Sequence, residues 1–137
     1  MTVHIETVLT TTDIDCETLK RIGEKVLQDQ SHSGWVVSVA FVDDSYIQQL
    51  NKTYLNRDRP TDVLAFPIDE YDSQHKGPEK ILGDIYISLD RAKEQSVDYQ
   101  VSLDEEIARL MLHGLFHLLG YSHEDMSPLV EGYLSQC

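Results

Sequence analysis

Hydrophobic positions recur along this chain with two different periods, which predict both strands and helices. Alternating apolar and polar residues, or β-branched and aromatic clusters between turn residues, predict strands at residues 2–9, 35–42, 62–66 and 81–88. Helical spacing is found at residues 14–27 and in the stretch that carries Ile47, Leu50 and Tyr54 on one side. Shorter helices are predicted at residues 91–99 and 126–134.

The third and fourth predicted strands are separated by one polar stretch. Residues 69–80 between them include a Gly-Pro pair and are expected to form an exposed loop. Since one loop joins the strands at 62–66 and 81–88, we expect them to pair antiparallel. Alternation within the fourth strand places Asp84 and Tyr86 on one face and two isoleucines on the other.

The most apolar run of the chain predicts a buried central helix. Ser102, followed by Glu105 three residues later, forms a capping-box pattern at its start. The apolar side chains cover most of the helix circumference: Leu103, Ile107, Leu110, Met111, Leu115, Leu118 and Leu119. Such a helix packs on several sides, so its polar groups are expected in a dry setting.

Three histidines follow the spacing of a metal site. His113 and His117 are four residues apart, so both lie on one helix face, about 40° apart. Gly120 stands where the helix needs a left-handed residue to end, which lets His123 turn back toward the other two. One histidine on an apolar helix is more often a hydrogen-bonded core residue, but three at this spacing indicate metal ligands. Three imidazoles with an open fourth position describe catalytic zinc, although imidazole also suits nickel, copper and iron.

Length and composition bound the organisation of the protein. With 137 residues and 41% hydrophobic residues, residues 1–137 are expected to form a single domain. No secretory leader or membrane span is recognised. Cys16 and Cys137 have no CxxC spacing and are interpreted as ordinary reduced thiols, which favours a cytoplasmic location.

The charge is strongly acidic and unevenly distributed. A formal net charge of −13 repels phosphate backbones on average, which argues against a general nucleic-acid-binding surface. Residues 51–59 differ, because Lys52, Arg57 and Arg59 outweigh Asp58 there. This basic stretch is either a solvated turn or a set of phosphate contacts, and charge alone leaves both open.

The histidine spacing also occurs in metzincin peptidases. Their pattern, H-E-x-x-H-x-x-G-x-x-H, is matched at His113, His117, Gly120 and His123. The glutamate that acts as general base in those enzymes is replaced by Gly114. This replacement argues against a zinc peptidase.

Three stretches together resemble the YbeY family of small bacterial metal-dependent endoribonucleases. Residues 113–123, H-G-L-F-H-L-L-G-Y-S-H, are similar to the family signature H-G-x-x-H-L-x-G-Y-x-H, including its glycine in the glutamate position. Residues 58–67, D-R-P-T-D-V-L-A-F-P, resemble the family segment D-x-P-T-D-V-L-S-F-P. Residues 82–85 match its L-G-D-I. With the flanking elements, the resemblance covers almost the whole chain.

The resemblance implies a fold, a cofactor and an activity. The implied fold is α+β and zincin-like, with a small mixed sheet of about four strands and helices packed around a central metal-bearing helix. It implies one zinc ion on His113, His117 and His123, with other divalent transition metals compatible with the same ligands. It also implies single-strand-specific hydrolysis of RNA phosphodiester bonds in ribosomal RNA maturation and ribosome quality control.

The chain departs from the family pattern at three positions. Leu55 occupies the position of an arginine that usually follows the tyrosine corresponding to Tyr54. A substrate-phosphate role therefore cannot be carried over to that position, and we hypothesise that Arg57 or Arg59 reaches the same space. Ala65 stands for the expected serine, and Ser122 stands where aspartate is common. None of these changes affects a predicted ligand.

A proton acceptor for hydrolysis is not evident from the motif. Asp84 is a candidate either for the general base or for a residue that orients a histidine, and the two roles are equally supported. Glu124 and Asp125 adjoin the third histidine, but helix capping is the favoured interpretation for both.

A non-catalytic function is the alternative to the enzyme. The acidic surface also fits a metal-stabilised ribosome-assembly factor that binds ribosomal proteins or a ribosome-associated GTPase. Loss of RNA cleavage on metal removal distinguishes the enzyme from this factor. A hydrolase of another substrate with zincin-like architecture is a third, weaker hypothesis.

Overall fold

The computed structural model describes residues 3–7, 14–67 and 80–135 of the chain. Within these ranges it has four strands and five helices. In chain order they are β1 (Val3–Thr7), α1 (Cys16–Asp29), β2 (Val36–Val42), α2 (Asp44–Leu55), β3 (Val63–Pro67), β4 (Ile81–Ser88), α3 (Leu89–Tyr99), α4 (Leu103–Leu118) and α5 (His123–Leu134).

The strands form one mixed sheet in the order β1-β2-β4-β3. β1 and β2 are parallel, and β2 and β4 are parallel. β3 runs antiparallel to β4, with Ala65 opposite Ile85. β3 therefore lies at one edge of the described sheet.

Each described helix begins behind a short polar residue whose side chain caps it. The capping side chains accept hydrogen bonds from backbone N–H groups of the first turn, which otherwise have no intrahelical partner. These pairs are Asp15 with Thr18, Asp43 with Tyr46, Ser88 with Arg91, Ser102 with Glu105 and Ser122 with Asp125. The capping pattern recognised at Ser102 is confirmed.

The two faces of the sheet are covered by different helices. α4 packs on the main core, which contains Ile85 and Ile87 of β4. α2 covers the other face, where Ile47 and Leu64 belong to a smaller core cluster with Tyr86 packed against it. The alternation predicted for β4 is therefore confirmed, and α4 is a buried central helix.

The α+β fold class and the antiparallel pairing of β3 with β4 are confirmed. The predicted start of the last helix is wrong, because α5 begins at His123 and contains Pro128 in its interior. Helix α3 likewise begins two residues earlier than expected, at Leu89.

The ends of the first predicted strand, most of the loop predicted at 69–80, and Cys137 lie outside the described residues. None of the described helices is long and apolar enough to cross a membrane.

Candidate active site

Helix α4 positions the first two histidines. Its buried residues include Leu110, Met111 and Leu115, which hold the helix firmly against the sheet. His113 is half-buried and His117 is exposed in the last turn. The two imidazoles therefore lie where the central helix reaches the surface.

A tight turn brings the third histidine back toward α4. Gly120 has a φ of 92°, and the N–H groups of Gly120 and Tyr121 donate to the carbonyls of His117 and Phe116, both at 3.0 Å. This is the paired hydrogen-bond pattern of a helix end with a left-handed glycine. The Tyr121 ring packs on Phe116 with centroids 5.2 Å apart. The turn predicted at Gly120 is confirmed.

The turn leaves the rings of His113 and His123 in contact, with centroids 5.0 Å apart. Burial lowers the pKa of His113 below its ordinary value, and the nearby His123 and His117 lower it further, while Asp62 opposes them. A lowered pKa favours neutral imidazole, which is the form that binds metal ions. The donor chemistry therefore suits a transition metal.

The three imidazoles do not meet at one point in the described arrangement. Across residues 3–7, 14–67 and 80–135, no three histidine, cysteine, aspartate or glutamate side chains are placed to hold one metal ion. His117 and His123 are both exposed, so packing does not block rotation of their side chains. The residue types and their spacing fit zinc, and the metal site stays a prediction.

A cavity of about 300 Å³ opens beside the histidines. Its walls are formed by α4, by β3 and the residue before it, and by the end of α2: His113, Gly114, His117, Asp62, Val63, Leu64, Ala65 and Leu55. Because β3 is the edge strand, the cavity lies at the margin of the sheet. Among the described residues no strand pairs with the outer side of β3, so a substrate can approach the histidines from there.

Asp62 is a wall residue that the sequence analysis did not select. Its Oδ1 accepts a hydrogen bond from the N–H of Val63 at 2.8 Å, and its Oδ2 accepts one from Nε2 of Gln95 at 3.3 Å. The aspartate of the P-T-D-V segment was the available signal. Gln95 on α3 and His113 on α4 lie far from Asp62 in the sequence, so only the fold reveals that Asp62 lies beside them.

Glu106 is a second carboxylate that the sequence analysis missed. It lies two turns before His113 on α4 and is only 1% exposed. Its Oε1 is 3.4 Å from Nε of Arg109, yet accepts no hydrogen bond from any described residue. Burial raises the pKa of Glu106 above its usual range, Arg109 opposes this, and Asp62 adds to it.

Asn51 holds the basic stretch after α2 in place. The Asn51 side chain is buried, and its Nδ2 donates to the carbonyl of Arg59 at 2.9 Å. The Asn51 carbonyl accepts from the N–H of Arg57 at 3.2 Å. Both arginines are exposed, and within the described ranges neither forms an ion pair, whereas Lys52 lies 3.9 Å from Asp58. This loop directly follows Leu55, a wall of the histidine cavity.

Asp84 is not brought together with the histidines. It lies on β4 in a second cavity, whose walls include Tyr54, Phe66 and Tyr86. This is the sheet face covered by α2, whereas α4 packs on the opposite face at Ile85. The geometry therefore does not support Asp84 as a base or as a residue that orients a histidine.

Glu124 and Asp125 lie in the first turn of α5. Carboxylates in that position stabilise the positive end of the helix dipole. The N–H of Asp125 also donates to Oγ of Ser122 at 3.2 Å. These contacts support the structural interpretation of both residues.

Gly114 lies where α4 crosses β4. A Cβ atom at this position would lie 2.9 Å from Cγ2 of Ile85, closer than side-chain atoms normally approach. The position of the peptidase glutamate is therefore directed at the sheet. This contact gives a packing reason for glycine there and strengthens the argument against peptidase chemistry.

Comparison with known proteins connects this arrangement to one family. A family model described as endoribonuclease YbeY matches residues 4–131. The endoribonuclease YbeY of Alkaliphilus metalliredigens is 41% identical over 116 residues, covering 81% of this chain and 75% of the relative. That of Aquifex aeolicus is 51% identical over 88 residues, covering 64% of this chain and 56% of the relative.

A solved structure shares the architecture. The solution structure of a Thermotoga maritima protein aligns with a TM-score of 0.64 and 25% identity. The alignment covers 96% of this chain and 86% of that protein. Since the family model spans nearly the whole chain and carries the histidine turn with it, this chain belongs to the endoribonuclease YbeY family.

Proposed function

We propose that this protein is an endoribonuclease that hydrolyses phosphodiester bonds of single-stranded RNA beside His113, His117 and His123. The observation that carries the proposal is the turn at Gly120, which brings the His123 ring to 5.0 Å from that of His113. Family membership supplies the reaction class.

The same proposal includes one zinc ion held by the three histidines. Bound there, zinc would supply a Lewis acid for a phosphoryl oxygen and a lower pKa for water. Asp62 faces the same cavity and adds negative charge beside His113, which favours a cation at this place. The zincin-like assignment rests on this ligand set.

The residues that follow the cavity wall at the end of α2 are proposed to bind the substrate. Arg57 and Arg59 have no ion-pair partner in the described ranges and follow the cavity wall at Leu55, so they are proposed to hold RNA phosphates. Asn51 fixes the backbone of both arginines through its buried amide and carbonyl. It is proposed to position them.

The biological substrate we propose is a ribosomal RNA precursor, processed in the cytoplasm during ribosome maturation and quality control. This part is carried over from the family resemblance of residues 58–67, 82–85 and 113–123. It concerns which RNA is cut. The hydrolytic site itself does not depend on it.

The test combines elemental analysis with an RNA cleavage assay. The protein as purified should contain about one zinc per chain, and a labelled single-stranded RNA should be cut before chelation but not after it. His117→Ala should lose most of the bound metal and at least about a hundredfold in cleavage rate, as expected when a catalytic metal loses one of three ligands.

The control for this test is His32→Gln. His32 bonds the Gln30 carbonyl at 2.7 Å, packs on Trp35 and is not a wall of the histidine cavity. This variant should keep its metal and its activity. Cleavage that survives complete metal removal would contradict the proposal, and loss of metal and thermal stability with cleavage retained would make the ion structural.

A further inference from the structure

A row of aromatic side chains follows the sheet face opposite α4. Tyr46 and Tyr54 belong to α2, Phe66 belongs to β3 and Tyr86 belongs to β4. The ring centroids of Tyr46 and Tyr86 are 6.4 Å apart, those of Tyr86 and Phe66 are 5.9 Å apart, and those of Phe66 and Tyr54 are 5.3 Å apart. We call these four rings the aromatic row.

The aromatic row lines a continuous surface groove. Tyr54 is shared by cavities of about 580 and 320 Å³, and Tyr86 is shared by the second of these and another of about 280 Å³. Tyr54 is 66% exposed and Tyr46 is 44% exposed, so both rings contribute little to the core. The groove therefore presents ring faces and edges to solvent.

One end of the aromatic row reaches the proposed active site. Tyr54 is followed by Leu55, which is 47% exposed and forms a wall of the histidine cavity. Phe66 lies on the same edge strand as Ala65, which lines that cavity. A polymer lying along the row can therefore continue around the β3 edge to the histidines.

The charge along the row has both signs, because Asp84 and Asp43 line its cavities while two arginines follow it in the chain. Arg57 and Arg59 follow the row in the chain and have no ion pairs within the described ranges. They belong to a short stretch with excess positive charge in a protein whose formal net charge is −13. Stacking rings beside basic side chains is the combination by which proteins hold single-stranded nucleic acid.

We propose that the aromatic row is the base-binding subsite for single-stranded RNA, with unpaired bases stacked on Tyr54 and its neighbours while the backbone continues past Arg57 and Arg59 into the histidine cavity. This inference rests on the proposed endoribonuclease function. It places the bases on the α2 side of the sheet and the cleaved phosphate on the α4 side. A duplex, whose bases are already stacked on one another, cannot use the row.

The test is binding of a fluorescein-labelled oligouridylate of about ten nucleotides, followed by fluorescence anisotropy, with its integrity checked on a gel. Tyr54→Ala should weaken binding by about fivefold to a hundredfold, the range expected for one lost stacking partner. Tyr54→Phe keeps the ring and should bind within about twofold of the unaltered protein. Affinity for a duplex RNA of equal length should not change in either variant.

Tyr99→Ala is the matched control, because Tyr99 is 60% exposed on α3 and lines none of these cavities. It should bind the oligouridylate normally. If Tyr54→Ala binds like Tyr99→Ala while the unaltered protein still cleaves RNA, the base-binding proposal fails and the proposed function stands. If the unaltered protein neither binds nor cleaves RNA, both proposals fail. Equal weakening of duplex binding would also overturn the base-binding role.

Discussion

The Asp62 carboxylate shapes the charge beside His113. Asp62 is held by the Val63 N–H and by Gln95, so its charge stays on the cavity wall. Glu106 is buried deeper. Burial raises its pKa, and Arg109, 3.4 Å away, acts in the opposite direction. A cation in the cavity benefits from the Asp62 charge, whereas a phosphate alone is repelled by it. The negative charge on the cavity wall is therefore a reason to expect that a metal ion binds before the RNA does.

The buried carboxyl of Glu106 gives a prediction on pH dependence. Its raised pKa means that the folded protein holds this proton more tightly than the unfolded chain does. Its contribution to stability is therefore greatest below the unfolded pKa of about 4.3 and declines as pH rises through the raised folded pKa. Glu106→Gln should remove this decline, so its stability relative to the unaltered protein should increase between about pH 4 and about pH 7 in urea unfolding.

Glu105→Gln is the control for this measurement. Glu105 also lies near Arg109, at 4.0 Å, but its side chain is 45% exposed. Its relative stability should vary little over the same pH range. Arg109 keeps Glu131 as a partner in both variants, so neither leaves it unpaired. If the unfolding free energies of Glu106→Gln and of the unaltered protein change with pH in parallel, the buried carboxyl carries no pH-dependent cost.

Between elements, the crossing of α4 over β4 decides how close the histidine helix comes to the sheet. Gly114 is the contact point, and an added Cβ would lie 2.9 Å from Cγ2 of Ile85. Gly83 on β4 is equally close to α4, since a Cβ there would lie 2.9 Å from Cδ2 of Leu118. Two glycines on facing elements therefore let α4 lie close to β4.

Gly114→Ala and Gly132→Ala form a matched pair that tests this crossing. In Gly114→Ala, overpacking against Ile85 costs about 1–3 kcal/mol, and better helix propensity returns at most about 1 kcal/mol. A net loss of up to about 3 kcal/mol in unfolding free energy is expected. Gly132 in α5 has no atom within 4 Å of an added Cβ, so Gly132→Ala should gain up to about 1 kcal/mol. Equal stability of the two variants in thermal unfolding would contradict the close contact.

Local patterns identified most elements because each carries its own signal. The cap at Ser102, the left-handed Gly120 and the alternation of β4 are readable from neighbouring residues. The start of α5 was predicted three residues too late, at residue 126, although the cap at Ser122 was present in the sequence. The P-T-D-V segment marks Asp62 in the sequence, but its place beside His113 follows only from the fold, since Gln95 and His113 belong to α3 and α4.

At the scale of the whole molecule, an acidic protein that cleaves RNA needs the positive charge that attracts RNA phosphates to be concentrated in one place. The formal net charge of −13 opposes an RNA backbone over most of the surface. Lys52 pairs with Asp58 at 3.9 Å, whereas Arg57 and Arg59, which follow the cavity wall at Leu55, form no ion pair with any residue that the structure describes. The edge of β3 joins this charge to the aromatic row. RNA contact is therefore expected to depend on few phosphates.

Salt dependence measures that number of phosphates directly. The logarithm of the binding constant for single-stranded RNA falls with the logarithm of salt concentration, by about 0.7 for each phosphate contacted. Arg57→Gln combined with Arg59→Gln should therefore reduce the slope by about 1.4 if each arginine holds one phosphate. Lys93→Gln removes an exposed charge from α3 and should leave the slope unchanged. Because net charge acts weakly at a distance in salt while contacts act locally, equal slopes for the double variant and Lys93→Gln would rule out the arginine contacts.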